Sequence, residues 1–231
     1  MTKNLCIIPA RGGSKRIPRK NIKDFLGKPI IAYSIEAALK SNLFDEVMVS
    51  TEDEEIAKIA KQYGAKVPFF RSGNNANDFA TLADVIDEVK VEYKKQNKSF
   101  LKVCCILPTA PLLTIDLLKE GLKRLDKNPS LCSIKPILRF SYPIQRAITL
   151  NEKTNEVKML NPQHKNTRSQ DLEICFHDAG QFYWMKYDEG LRTEPKGGFE
   201  ISETYAQDID TLEDWRIAEF KYLCLKTPSK K

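Results

Sequence analysis

From position 8 to position 21 the chain reads Ile-Pro-Ala-Arg-Gly-Gly-Ser-Lys-Arg-Ile-Pro-Arg-Lys-Asn, an apolar run that opens into paired glycines set among cations. Arg11, Lys15, Arg16, Arg19 and Lys20 crowd around Gly12, Gly13 and Ser14. Glycines let backbone N–H groups converge on an anion, and the cationic side chains neutralise it, so the segment suits a polyphosphate. It has neither the spacing of a Walker loop nor that of a Rossmann fingerprint, and its plain alternative is a solvated basic turn. A second candidate is Asp208-Ile209-Asp210. In a strand, residues two apart share a face, so both carboxylates would point into one site, a fit for Mg²⁺ completed by water and phosphate. The competing use is local: Asp210 could cap a helix starting at Leu212, with Glu213 completing a capping box.

The elements that must position these groups follow an alternating rhythm. Apolar runs at 5–10, 46–51, 65–70, 102–107, 132–135 and 181–186 read as strands, and amphipathic segments at 28–40, 53–63, 80–96, 116–126 and 212–225 read as helices. Pro29 falls in the first turn of the first helix, and Gly64 ends the second. The pattern predicts a single α/β domain over residues 1–231, with a mainly parallel twisted sheet flanked by helices. Residues 136–171 break the rhythm with three prolines and a hairpin-like 147–159, and are expected to form an inserted arm used for dimerisation.

With 231 residues, 42% hydrophobic and 29% charged, the chain is neither disordered nor repetitive. A formal charge of +6 is too low for a dedicated nucleic-acid binder, and the positives gather in one loop and in the tail at 226–231, which reads as solvated. No apolar run reaches the roughly 20 residues of a membrane span, and the N-terminus lacks a signal-like stretch, so no membrane partner and a cytoplasmic location are expected. The six cysteines lack a Cys-x-x-Cys spacing and read as buried thiols, and two histidines leave no basis for a histidine-rich zinc site. Trp184 and Trp215 read as core. His177 and Arg168, taken alone, are as well explained by packing and by an ordinary surface.

The glycine loop resembles the signature of the CMP-nonulosonate synthetases, cytidylyltransferases that activate sialic acids and their bacterial relatives, and the resemblance spans almost the whole chain. Asn77-Asp78-Phe79-Ala80-Thr81, Leu107-Pro108-Thr109-Ala110-Pro111-Leu112 and Gln207-Asp208-Ile209-Asp210-Thr211 resemble three further family motifs, in the family's order. The segment 166–171 together with His177-Asp178-Ala179-Gly180 closely resembles the pseudaminic acid cytidylyltransferases of that family. Sialate enzymes carry Arg-Pro-Asn-Gly at that point and a glutamine where Leu107 stands. Gln145 or Arg146 occupies the neighbourhood of the family's sugar-contacting lysine.

The resemblance implies a nucleotide-diphospho-sugar transferase-like fold, a homodimer, and transfer of CMP from CTP to a nine-carbon α-keto acid sugar with Mg²⁺. It places Ala10, Arg11, Gly12, Gly13, Ser14, Lys15, Lys20, Asn21, Asp78, Thr81, Pro108 and Thr109 around CTP. Arg11, Lys20 and Asp210 become catalytic, and Asp208 with Asp210 hold the metal. Gln145, Arg168, His177, Asp178 and Gln181 surround the sugar, with Arg168 suited to its carboxylate. A water oriented by Asp210, or a metal hydroxide, would serve as base. The rivals are the same chemistry on N-acetylneuraminate or legionaminate, a nucleotide-binding protein without catalysis, and an RNA-binding module, whose aromatic pattern is missing.

Overall fold

Leu5, Cys6, Ile7 and Ile8 are fully buried because β1 (Asn4–Pro9) runs inside a seven-stranded sheet and sends alternate side chains to two cores. Cys6 and Ile8 enter the larger core, Leu5 and Ile7 the smaller one on the other face. The computed structural model describes residues 3–227, so the basic tail expected to be solvated lies, from 228 onward, outside the described residues.

The remaining strands are β2 (Asp24–Phe25), β3 (Lys28–Pro29), β4 (Glu46–Ser50), β5 (Lys102–Ile106), β6 (Ser133–Arg139), β7 (Ile148–Leu150), β8 (Val157–Met159), β9 (Phe176–Asp178), β10 (Phe182–Lys186) and β11 (Lys196–Glu200). The main sheet has the order β11-β6-β10-β5-β1-β4, and β9 pairs with the far end of β6. β1 is parallel to β4 and β5, and β6 is parallel to β11, while β10 and β9 run against their neighbours. The mainly parallel α/β sheet expected from the rhythm is therefore present, with one reversed strand at its centre.

α1 (Ile30–Ser41), α2 (Glu54–Gln62) and α4 (Ile115–Lys127) cover the face of the larger core, and α3 (Leu82–Lys95) covers the smaller. α5 (Leu212–Lys226) closes a third cluster, in which Trp215 and Ala218 meet Ile17, Phe25, Tyr33 and Ile209. Asp53, Thr81, Thr114 and Thr211 cap four of these helices by accepting a backbone N–H. Both tryptophans are buried, and Trp184 Nε1 donates to Leu118 O at 3.0 Å.

Several elements differ from the sequence expectation. Residues 65–70 form only an isolated bridge, Met48 to Lys66, since Pro68 removes a ladder donor. Pro29 is the residue before α1 and belongs to β3, outside the helix's first turn. β11 carries no strand signal in the sequence, because Gly197 and Gly198 erase its alternation. Residues 136–139, expected at the start of the arm, are the second half of β6, and the chain leaves the sheet only at Phe140. Beyond it lie 3₁₀ turns and the β7–β8 hairpin.

Candidate active site

The ends of β1 and β5, the glycine loop and the N-terminus of α3 enclose a cleft of about 500 Å³. Arg11, Ser14, Lys15, Lys20, Asn21, Asp78, Thr81, Pro108 and Thr109, all expected at the nucleotide, line it, and so does Leu107. Arg11 Nη1 donates to Asp78 Oδ1 at 2.9 Å and to Asn77 O at 3.2 Å, and Lys15 Nζ meets Asp78 Oδ2 at 2.5 Å. These cations hold the Asp78 carboxyl below its usual range, Lys15 first. Asn21 Nδ2 donates to Arg11 O at 2.9 Å and fixes the loop's entry.

From the chain's other end Asp210, with Asp208 two residues before it, reaches two cations of the cleft lining. Lys20 Nζ donates to Ile209 O at 2.6 Å and lies 3.6 Å from Asp210 Oδ1, and Arg16 Nη2 reaches the same oxygen at 2.7 Å. The two aspartates are in an irregular segment, not in the strand inferred from the sequence, yet the alternation survives because Ile209 is fully buried between them. Nor is Asp210 the helix cap: Thr211 caps α5 and Asp214, not Glu213, completes the box. Both Asp210 oxygens therefore remain outside the helix cap. Partial burial and then the charge of Asp210 push the Asp208 carboxyl up, against the pull of Lys20.

Among the described residues, no three His, Cys, Asp or Glu side chains gather as a metal centre. Asp78 lines the cleft with both oxygens paired to Arg11 and Lys15, which leaves Asp208 and Asp210, beside Lys20, as the candidate oxygen donors. Two hard oxygen groups that repel each other beside an expected phosphate site fit Mg²⁺, which accepts one or two carboxylates and leaves its other positions to phosphate and water.

Other expected residues sit elsewhere. Ala10 is buried and donates its N–H to Ser50 O at 2.9 Å. The Gly12 N–H, expected to face an anion, donates to Glu52 Oε1 at 2.6 Å. Gln181 is also buried, its side-chain amide nitrogen donating to Tyr205 O and its backbone carbonyl accepting from Leu107 N, so it braces the strand end. Gln145 donates to Glu173 O and Cys175 Sγ within the arm, and Arg168 is exposed there. His177 is exposed on β9 with its ring 4.8 Å from that of Phe140. Asp178 pairs with Lys135 at 2.7 Å.

Sequence reasoning passed over Arg71, Glu52 and Lys135. Arg71 is buried at the cleft wall, bonding Ser50 Oγ at 3.1 Å and Ser50 O at 2.5 Å, and burial lowers its pKa. Each of the three is defined by a partner more than 20 positions away, and no local pattern marks it.

Residues 5–196 match the family described as cytidylyltransferase. The chain is 46% identical over 226 residues to the pseudaminic acid cytidylyltransferase of Campylobacter jejuni, covering 95% of this chain and 96% of that protein. It is 32% identical over 224 residues to the CMP-N,N'-diacetyllegionaminic acid synthase of Legionella pneumophila, covering 93% and 94%. Its fold superposes on that of a CMP:2-keto-3-deoxy-manno-octonic acid synthetase complexed with CTP, with a TM-score of 0.69 at 19% identity over 97% of this chain and 99% of the other.

Proposed function

Because the chain belongs to the cytidylyltransferase family, we propose that it transfers CMP from CTP to the anomeric hydroxyl of a nonulosonic acid, with pseudaminic acid as the preferred acceptor. The observation that carries this is the meeting of the cleft-lining cations Arg16 and Lys20 with Asp210 from the far end of the chain. The acceptor's anomeric oxygen attacks the α-phosphorus, the bond to the bridging oxygen breaks, and pyrophosphate leaves. The proton passes to a water oriented by Asp210. The protein's work is positioning and charge neutralisation.

Arg11 and Lys15 face the triphosphate and must exchange Asp78 for phosphate oxygens. Lys20, seated on Ile209 O, is placed to follow the charge that grows on the leaving pyrophosphate. Asp208 and Asp210 would hold Mg²⁺, which supplies charge neutralisation on the phosphates. The preference for pseudaminic acid draws support from the 46% identity and from His177-Asp178-Ala179-Gly180 at the sheet edge.

The same reading includes a homodimer and a cytoplasmic location. The arm's hairpin exposes Ile148, Leu150 and Val157, an apolar stripe suited to a second copy. All six cysteines are free thiols, but only four are buried as the sequence predicts, Cys175 being half-buried and Cys224 exposed; among the described residues no helix is long and apolar enough to cross a membrane.

The test is pyrophosphate release and CMP-sugar formation with CTP, Mg²⁺ and a panel of nonulosonic acids. Turnover should need both CTP and Mg²⁺, stop on chelation, and be fastest with pseudaminic acid. Comparable kcat/KM for N-acetylneuraminate would overturn the sugar, and no release with any acceptor would overturn the activity.

A further inference from the structure

The uncovered part of the sheet carries a cation that the nucleotide cleft does not use. Lys135 lies on β6 between Gly198 of β11 and Tyr183 of β10, and its side chain projects away from the larger core, the face on which Ile134 packs. Gly198 has no side chain to cover it. Tyr183, in turn, pairs with Cys105, one residue before the end of β5, from which Leu107, Pro108 and Thr109 run directly into the cleft. Lys135 Nζ lies 5.9 Å from the Tyr183 ring centre, and a hollow of about 150 Å³ opens beside both.

The Lys135 ammonium is held at 2.7 Å by Asp178 Oδ2, while Asp178 Oδ1 accepts the Gly180 N–H at 2.8 Å. Asp178 therefore spends an acceptor on each oxygen inside the protein. An ammonium has three donors, and the contact with Asp178 uses one. Other cations are less well placed: Lys196 lines the same hollow but its ammonium is held by Glu194 Oε1 at 2.8 Å on an exposed edge, Arg168 has no ion-paired or hydrogen-bonded side chain among the described residues, and exposed Arg146 reaches only Ser169 Oγ at 3.4 Å.

We propose that Lys135 receives the carboxylate of the acceptor sugar acid, and that Asp178 is a positioning residue for Lys135 and not itself a sugar ligand. This rests on the cytidylyltransferase reading above. A half-buried ammonium with an ordered partner loses little freedom when an anion docks, and charge-assisted contacts of this kind discriminate strongly against a neutral analogue.

The experiment compares a nonulosonic acid with its C1 carboxamide as acceptors for wild type, Lys135→Met, Lys135→Arg, Asp178→Asn and the Lys135→Met/Asp178→Asn double variant, with melting temperature measured for each. Wild type should prefer the acid by on the order of 10- to 100-fold in kcat/KM. Lys135→Met should lose that factor with the acid alone, leaving acid and amide within about threefold, and CTP KM within about twofold. Lys135→Arg keeps the charge and should retain the acid preference, which tests the assignment even if Lys135→Met fails to fold. Asp178→Asn should narrow the preference in the wild-type background and add nothing to Lys135→Met. A full acid preference in Lys135→Met overturns the role of Lys135, and an undiminished Asp178→Asn effect in that background makes Asp178 a direct ligand. No turnover by wild type with any acceptor would instead remove the cytidylyltransferase reading.

Discussion

Arg19 holds Asp53 with two hydrogen bonds, Nη1 to Oδ2 at 2.5 Å and Nη2 to Oδ1 at 2.9 Å, directly beside Gly12. The same carboxylate caps α2 by accepting the Ile56 N–H. Of the five cations around the glycine loop, Arg19 alone does not line the cleft. It adopts a left-handed backbone conformation, φ 54°, to turn its guanidinium toward α2. Its positive charge is met by Asp53 and Glu55, so it anchors the loop, while Arg11, Lys15, Arg16 and Lys20 line the cleft.

This pair makes part of the stability depend on acid. Arg19 holds the Asp53 carboxyl down at about 2, against an ordinary 3.8. A depressed carboxylate contributes stability that is complete above the unfolded pKa and is lost as pH falls through the folded one. Asp53→Asn should therefore cost about 1–2 kcal/mol near neutral pH, and less than about 1 kcal/mol near pH 2.5. Urea melts of both proteins across that range measure it. A difference that stays constant with pH would mean that cap geometry, not the ion pair, matters.

The two adjacent glycines should respond differently to substitution. A Cβ on Gly12 would lie 2.6 Å from Asp53 Oδ2 and 3.3 Å from Arg19 Nη1, both of them held in the clamp, whereas a Cβ on Gly13 meets nothing within 4 Å. Gly12→Ala is expected to cost about 1–3 kcal/mol and to depress turnover as the loop shifts. Gly13→Ala should stay within about 0.5 kcal/mol of wild type. Thermal melts and CTP kinetics on the two variants check the contrast.

What the sequence made legible follows from how local each signal is. The glycine loop and the Asp-x-Asp announce themselves over a few residues, β1 and β5 are short apolar runs, and α2 and α4 carry their apolar face at helical spacing within one segment. Arg19 and Asp53 stand 34 positions apart and Lys135 and Asp178 stand 43 apart, so their pairing exists only once the strands are ordered. For the same reason Arg19 reads in the sequence as one more loop cation and Gln181 as a sugar contact, whereas ion pairs tie Arg19, and burial ties Gln181, to the scaffold.

Lys20 and Arg11 should separate kinetically. Lys20 is tied to Ile209 O and Asp210, deep in the cleft, while Arg11 meets Asp78 at its mouth. Lys20→Ala is expected to lower kcat on the order of 100-fold with CTP KM changed only a few-fold, as for a contact that strengthens in the transition state. Arg11→Ala should raise CTP KM and lower kcat together. Small and equal effects from both would reduce the loop to a basic surface.

Asp210 and Thr211 are neighbours with separable tasks. Thr211 Oγ1 accepts the Asp214 N–H while the Asp214 carboxylate takes the N–H groups of Asp210 and Thr211, so α5 is capped without the Asp210 carboxylate. Asp210 instead faces Arg16 and Lys20 in the cleft. On the proposed role of Asp210 as an Mg²⁺ ligand, Asp210→Ala should cut turnover by at least about 100-fold, and excess Mg²⁺ should not restore it. Its melting temperature should stay near that of wild type, since Arg16 and Lys20 form only partly exposed pairs of small net value. Thr211→Ala should do the reverse, costing about 1 kcal/mol of stability through the lost cap while keeping most activity. Near-normal turnover by Asp210→Ala at saturating Mg²⁺ would remove it from the chemistry. A large fall in its melting temperature would return Asp210 to the role of helix terminus.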